Sequence, residues 1–143
     1  MKKQILFLLL INSFLGLNAQ SNNDMLINQT FISMIGSVCE ETPDDNPCVG
    51  LEIFLVLNFK EDNVSIIEKE VSSCGIENIT SMLDYKWKLI QNHEIKIDND
   101  PKEIEYDFLK NLVIKVEQGK VTGYIKRGNK ITDKIEFKKI NIK

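Results

Sequence analysis

The sequence predicts an all-β protein whose eight antiparallel strands form one up-and-down barrel, with a flattened β-sandwich as the alternative architecture. Apolar residues recur at every second position in several runs, as in strands that bury one face. Short polar stretches separate most of these runs, which favours antiparallel pairing of successive strands. Eight such strands in about 120 residues leave an interior that is either filled by side chains or holds one small ligand.

The first 20 residues have the pattern of a signal peptide. Lys2 and Lys3 precede an apolar run, Ile5–Leu17, which is shorter than the roughly 20 residues of a membrane-spanning helix. A cleavage site follows at Ala19 or Gln20. We therefore expect an exported protein, periplasmic or extracellular, with no membrane span after the signal is cleaved.

The rest of the chain is long enough for one domain and too short for two. We expect a flexible N-terminal tail over 21–29 and a single barrel domain over 30–143. The formal net charge is −3, and loss of the two leader lysines makes the mature chain more acidic. An acidic surface argues against nucleic acid and anionic membranes as partners, since both require a basic stripe. A monomer is expected.

The first predicted strand covers 30–39, and Gly36 within it indicates a bend or bulge. Residues 40–50 contain two prolines and four acidic residues, so they predict a loop. Apolar side chains occupy every second position of residues 51–59 and share one face: Leu51, Ile53, Leu55, Leu57 and Phe59. The other face, with Phe54 and Val56, is only half polar. The polar turn 60–63 then leads into a strand over 64–73, which completes a β-hairpin.

The inward face of strand 64–73 depends on its register, because a one-residue slip exchanges the two faces. One register buries Ile67 and Val71, and we favour it slightly. The other places Glu68 and Glu70 inside, where a carboxylate is costly unless it is paired. An inward pair of glutamates would be a candidate site.

Residues 75–83 predict a loop or a single helical turn. Residues 84–91 form the clearest alternating strand, with Tyr85, Trp87 and Leu89 on one face. The turn at Asn92 and His93 reverses the chain into a strand over 94–98. Residues 102–109 are ambiguous between a short helix and a loop. The remaining predicted strands are 111–117, 121–126 and 131–141.

Three cysteines follow the leader: Cys39, Cys48 and Cys74. An oxidising compartment favours one disulfide and one remaining thiol. Pairing Phe59 near Val64 brings residues 48–49 close to residue 74, so Cys48–Cys74 is the preferred bond. Cys39–Cys48, which would close the acidic loop, is the alternative.

No sequence motif indicates an enzyme. Phosphate-binding glycine loops, nucleophile elbows and metal-ligand spacings are all missing, so we expect no catalytic residues, no metal and no cofactor. His93 stands alone at a turn, which is typical of a solvated residue. The acidic loop lacks the glycine and terminal glutamate of a calcium-binding EF-hand. Glu68 with Glu70 is the one pair of carboxylates that could do acid–base chemistry, and only if buried.

The strand order, the leader, Gly36-Ser37 and the Trp87-Lys88-Leu89 strand resemble the lipocalin-like (calycin) β-barrels of exported bacterial proteins. The family's first strand carries Gly-x-Trp, whose Trp plugs the barrel floor. Val38 occupies that Trp position here, and Trp87 is the candidate to plug the floor instead. The resemblance implies a small apolar ligand or a purely structural barrel, and no enzyme.

Two functions are therefore expected. The first is binding of a small hydrophobic ligand in the barrel, with core filling as the competing explanation for the same residues: Leu55, Leu57, Phe59, Tyr85, Trp87, Leu89 and Ile114. The second is a protein-interaction or inhibitor domain of the immunity type. It would use exposed Phe54 and Val56 beside the acids of the loop, with opposite charge on the partner.

Overall fold

A computed structural model describes residues 24–39, 50–98 and 111–141. They form a closed antiparallel barrel in which each strand pairs with its neighbours in sequence and β8 pairs with β1. The predicted eight-stranded up-and-down barrel is thereby confirmed. A 3₁₀ turn, Gln91–His93, separates the fourth and fifth of its strands. The strands are β1 Gln29–Val38, β2 Leu51–Phe59, β3 Asn63–Ser72, β4 Glu77–Leu89, β5 Glu94–Asp98, β6 Leu112–Glu117, β7 Lys120–Arg127 and β8 Lys130–Ile140.

The β2–β3 hairpin has the register that its four-residue turn predicts. Phe59 lies opposite Val64, and the Lys60 N–H donates to the Asn63 carbonyl at 2.7 Å. Opposite residues of an antiparallel pair share one face of the sheet. Val64 and Ile66 are therefore on the inner face with Phe59 and Leu57, and both are buried.

Three strands contain bulges. In β1 the pairing shifts between Met34 and Gly36, where the glycine predicts a bend, and the extra residue, Ile35, packs against the core. In β4 the shift leaves Thr80 as the extra residue between Ser81 and Ile79. In β8 it leaves Thr132 between Asp133 and Ile131.

The fourth strand is longer than expected. It begins at Glu77, so the prediction of a loop or helical turn over 75–83 is wrong. This stretch has a weak apolar pattern of its own, and pairing along β3 decides its conformation instead. β5 pairs only with Lys86–Leu89. Among the described residues, Glu77–Asp84 thus has a partner strand on one side, β3, and none on the other.

The N-terminal segment also differs from its prediction. Residues 24–28 of the expected flexible tail form turns, and Leu26 is only 1% exposed. The Asn28 N–H donates to the Phe59 carbonyl at 2.8 Å, and the Gln29 N–H donates to the Leu26 carbonyl at 3.0 Å. The first bond holds the segment against one end of the barrel, and the second closes a turn within the segment.

Candidate functional site

One end of the barrel is closed by a floor of packed aromatic side chains. Phe31 and Phe59 meet edge to face with ring centroids 5.9 Å apart, and Phe59 meets Trp87 in the same way at 5.0 Å. The indole N–H of Trp87 donates to the Lys60 carbonyl at 3.0 Å. Leu26 packs into the same cluster. Trp87 therefore lies at the floor, where the sequence suggested it as a plug.

Val38, at the position that the family resemblance gives to the floor tryptophan, lies elsewhere. It ends β1, pairs with Leu51 at the opposite end of the barrel, and is exposed. A tryptophan at this position would stand at the barrel's open end, far from Phe59 and Trp87 along the strands. The Gly36-x-Val38 stretch is thus no counterpart of the hallmark in position.

The inner wall becomes more exposed with distance from the floor. On β2, Phe59, Leu57 and Leu55 are buried, whereas Ile53 and Leu51 are only half-buried. The same change in burial runs along two other strands. On β6, Val116 and Ile114 are buried and Leu112 is half-buried. On β7, Val121 and Gly123 are buried and Ile125 is half-buried. Within the described residues, the inward apolar side chains at this end therefore keep partial solvent exposure. We call this end of the inner wall, with Leu51, Ile53, Leu83, Tyr85, Ile97, Leu112 and Ile125, the upper cup.

Glu68 and Glu70 face the inside of the upper cup. Glu68 lies opposite Leu55 and Glu70 opposite Ile53, on the face that carries Val64 and Ile66 toward the floor. The preference for Ile67 and Val71 inward is therefore wrong. The hairpin turn decides the register, because it fixes Phe59 against Val64. The register is tolerated because both carboxylates are half-exposed near this end of the barrel. Water reaches them there, so inward placement does not bury an unpaired charge.

The two carboxylates have different surroundings. The Thr80 hydroxyl, on the β4 bulge, lies within 3.1 Å of Glu68 Oε1 and 3.2 Å of the Glu68 carbonyl, and can donate to either. Within the described residues, Glu70 has no hydrogen bond or ion pair through its side chain. Lys69, between them, is on the outer face and pairs with Glu77 at 2.8 Å.

The predicted ligand-binding residues lie together on the inner wall, mostly in the packed part. Leu55, Leu57, Phe59, Trp87 and Ile114 are buried members of the core cluster, while Tyr85 and Leu89 are partly buried against it. Of these seven, Tyr85 is the residue that borders the upper cup. The sequence does not indicate four other residues of the upper cup as ligand contacts: Leu83, Ile97, Leu112 and Ile125. The same period-two alternation marks them, but alternation does not tell which end of a barrel is open.

The outer face of β1–β4 is less polar than the outer face of a solvated sheet. Register places Ile32, Val56, Ile67 and Met82 in one outward row across the four strands. Val56 is 7% exposed and Phe54 is half-buried, so the expectation of two exposed side chains is wrong for Val56. Ser65, in the next row, is fully buried, and among the described residues its Oγ has no hydrogen-bond partner. We call this part of the outer face, with Ile32, Met34, Phe54, Val56, Ser65, Ile67 and Met82, the outer patch.

A surface groove with a volume of about 890 Å³ runs along β7 and β8. Its lining includes exposed His93, Tyr124 and an ion pair between Lys134 and Glu136 at 2.6 Å. The hydrogen bond and the opposite charge raise the pKa of Lys134 and lower the pKa of Glu136. This groove lies outside the barrel, and its described lining residues include no buried polar group. It is a solvated surface with one local ion pair.

Cys39 is exposed with a free thiol, which is against the alternative Cys39–Cys48 bond. Cys48, the acidic loop 40–49 and the segment 99–110 lie outside the described residues, so the Cys48–Cys74 bond stays a prediction. Within the described ranges, no group of three or more His, Cys, Asp or Glu side chains is arranged to hold a metal ion.

Comparisons with known proteins add no family. The part of the chain that the structure describes contains no helix with the length and hydropathy to cross a bilayer. No family model matches the sequence, and neither the curated proteins nor the solved structures gave a match. The lipocalin-like resemblance therefore stays a prediction beside the observed fold, which is an eight-stranded antiparallel barrel.

Proposed function

We propose that this protein is a non-catalytic binding protein that holds a small hydrophobic ligand in the upper cup. One observation supports the proposal above all: inward apolar side chains are buried at the floor and half-exposed toward the other end on β2, β6 and β7. A purely structural barrel would gain stability by burying them all. An apolar wall with a few polar groups is typical of small-molecule sites.

The proposal is tested with the apolar dye N-phenyl-1-naphthylamine, whose emission rises in apolar surroundings. We expect the protein to increase the dye's emission, and Ile53→Trp to weaken dye binding by about tenfold or more by filling the cup. Glu52→Trp, the neighbouring position on the outer face of β2, is the matched control and should bind like wild type. Circular dichroism checks that both variants fold. Absence of binding to wild type, or equal binding by Ile53→Trp, would contradict the proposal.

A second candidate function is recognition of a partner protein, supported by the outer patch. Met34 and Met82 are exposed there beside buried Val56 and Ser65. Apolar patches of this kind mark interaction sites on soluble proteins. Met34→Lys with Met82→Lys should abolish capture of a partner from the cell envelope, whereas Thr122→Lys, on the outer face of β7, should not. Equal capture by both variants would remove the outer patch from this function.

We further propose that the chain is exported and carries a Cys48–Cys74 disulfide. The Ser73 N–H donates to the Gly50 carbonyl at 2.8 Å, so the chain enters β2 beside the residue that precedes Cys74. The free thiol of Cys39 leaves the other two cysteines for a bond. Cell fractionation with N-terminal sequencing tests export. A cytoplasmic protein that keeps residues 1–20 would contradict it.

A further inference from the structure

We infer that the ligand of the upper cup has a cationic head group on an apolar body, such as a long-chain or aromatic amine. The inference rests on the proposed function and names its ligand class. Its basis is the position of Glu68 and Glu70, two residues apart on the inner wall, among Leu51, Ile53 and Leu55. A ligand that fills an apolar cup with carboxylates at its rim meets those charges directly.

The polarity of the rim favours a cation. Beyond the two glutamates, Asp133 has the inward position on β8, since it lies opposite Ile125. Lys69 is on the outer face and already paired with Glu77. By the same register Arg127, two residues after Ile125, and Lys130 opposite it also have inward positions. These two basic residues and Asp133 are exposed at the end of the barrel, whereas Glu68 and Glu70 are half-buried, so among the described residues the charges deeper in the cup are carboxylates.

Desolvation strengthens this preference. Without ligand, water solvates the half-exposed carboxylates. A ligand that fills the cup displaces this water, and a carboxylate that loses water without a compensating partner is costly. An ammonium head supplies both the opposite charge and hydrogen-bond donors. A fatty acid would add a like charge beside the carboxylates. Glu68 keeps one contact from Thr80, whereas Glu70 has acceptor capacity on both oxygens within the described residues.

The experiment compares three probes with the same 12-carbon chain, dodecylammonium, dodecanol and dodecanoate. Each is used below its micellar concentration at neutral pH to displace N-phenyl-1-naphthylamine. We expect wild type to bind dodecylammonium about tenfold or more tightly than dodecanoate, with dodecanol between them. The Glu68→Gln, Glu70→Gln double variant should reduce this preference to about threefold or less. Glu52→Gln, which removes an adjacent outer-face carboxylate, should keep the full preference.

The outcomes separate the two proposals. Binding of no probe and no dye would overturn the proposed function. Binding of dodecanol together with equal or tighter binding of dodecanoate would leave the binding function standing and overturn the inference. A Glu70→Lys variant gives a second, independent readout, because reversal of the charge should shift the preference toward dodecanoate. An unchanged preference in both this variant and the double variant would also overturn the inference.

Discussion

Gly123 shows how tightly the lower part of the barrel is packed. A Cβ built on this residue would lie 2.9 Å from Leu112 Cδ1 and 3.2 Å from Phe137 Cε2, closer than side-chain atoms normally approach. The glycine allows the side chains of β6 and β8 to meet across β7. It therefore contributes to the boundary between the packed floor and the upper cup.

Gly123→Ala should lower the free energy of unfolding by about 1–3 kcal/mol, because the added methyl group overpacks this contact. Gly36→Ala is the matched control. Its Cβ would meet Ile53 Cδ1 at 3.7 Å, an ordinary contact, so a change of at most about 0.5 kcal/mol is expected. Urea unfolding monitored by Trp87 fluorescence measures both. Equal midpoints for the two variants would contradict the packing described here.

The Lys134–Glu136 pair gives a prediction about pH. Because Lys134 lowers the pKa of Glu136, the pair stabilises the fold above the ordinary carboxyl pKa, and this contribution is lost as pH falls through the lowered value. The pKa of Lys134 is raised, so the stability that its charged form contributes is lost only as pH rises through the raised value. Carbon-detected NMR titration should show the Glu136 pKa rising in Lys134→Met. An unchanged titration would mean that the pair does not persist in solution.

At the scale of elements, the turn 24–28 closes the floor rather than trailing from it. Leu26→Ala should lower the free energy of unfolding by about 2–5 kcal/mol, since the truncated side chain leaves a cavity beside the core. Met25→Ala, at a neighbouring residue that is 53% exposed, should change it by at most about 0.5 kcal/mol. If the two variants unfolded alike in urea, the turn would not be docked in solution.

The period-two pattern of apolar residues predicts the position of most strands. It does not predict where every strand begins or which face of every strand is inward. The predicted bounds of 51–59 agree with β2, because apolar residues at every second position continue without a break up to the polar turn 60–63. The start of β4 at Glu77 was missed, since its residues gain a strand conformation from pairing with β3. The inward position of Glu68 and Glu70 was open from sequence, because the cost of burial depends on how near the open end they lie.

At the scale of the whole molecule, the fold was predictable because eight successive antiparallel strands can close into a barrel. The accessible residues of the inner wall were less predictable. Seven residues were proposed as ligand contacts, and they share the inner wall as expected. Which of them remain accessible depends on the floor formed by Leu26, Phe59 and Trp87, a contact between distant parts of the chain. The buried Ser65 on the outer face is likewise invisible to a period-two pattern.

The predicted disulfide belongs to this scale because it would join the start of β2 to the end of the β2–β3 hairpin. Cys48→Ser should lower the free energy of unfolding by about 2–4 kcal/mol in the oxidised protein, since the bond restricts the unfolded chain. Cys39→Ser should leave it nearly unchanged, because that thiol is free and exposed. Thiol titration with mass spectrometry of the digested protein identifies the bond. Two titratable thiols beyond Cys39 in the exported protein would contradict it.

The unequal lengths of β4 and β5 have a consequence for solubility. Backbone amides and carbonyls along a strand edge can recruit another chain and start intermolecular sheet growth. Within the described residues, Glu77–Asp84 presents such an edge, with Ile79 and Met82 exposed on the same stretch. The Thr80 bulge and the terminal charges of this stretch oppose flat docking. Removal of the Thr80 bulge should therefore make concentrated protein aggregate sooner from its native state, as light scattering would show.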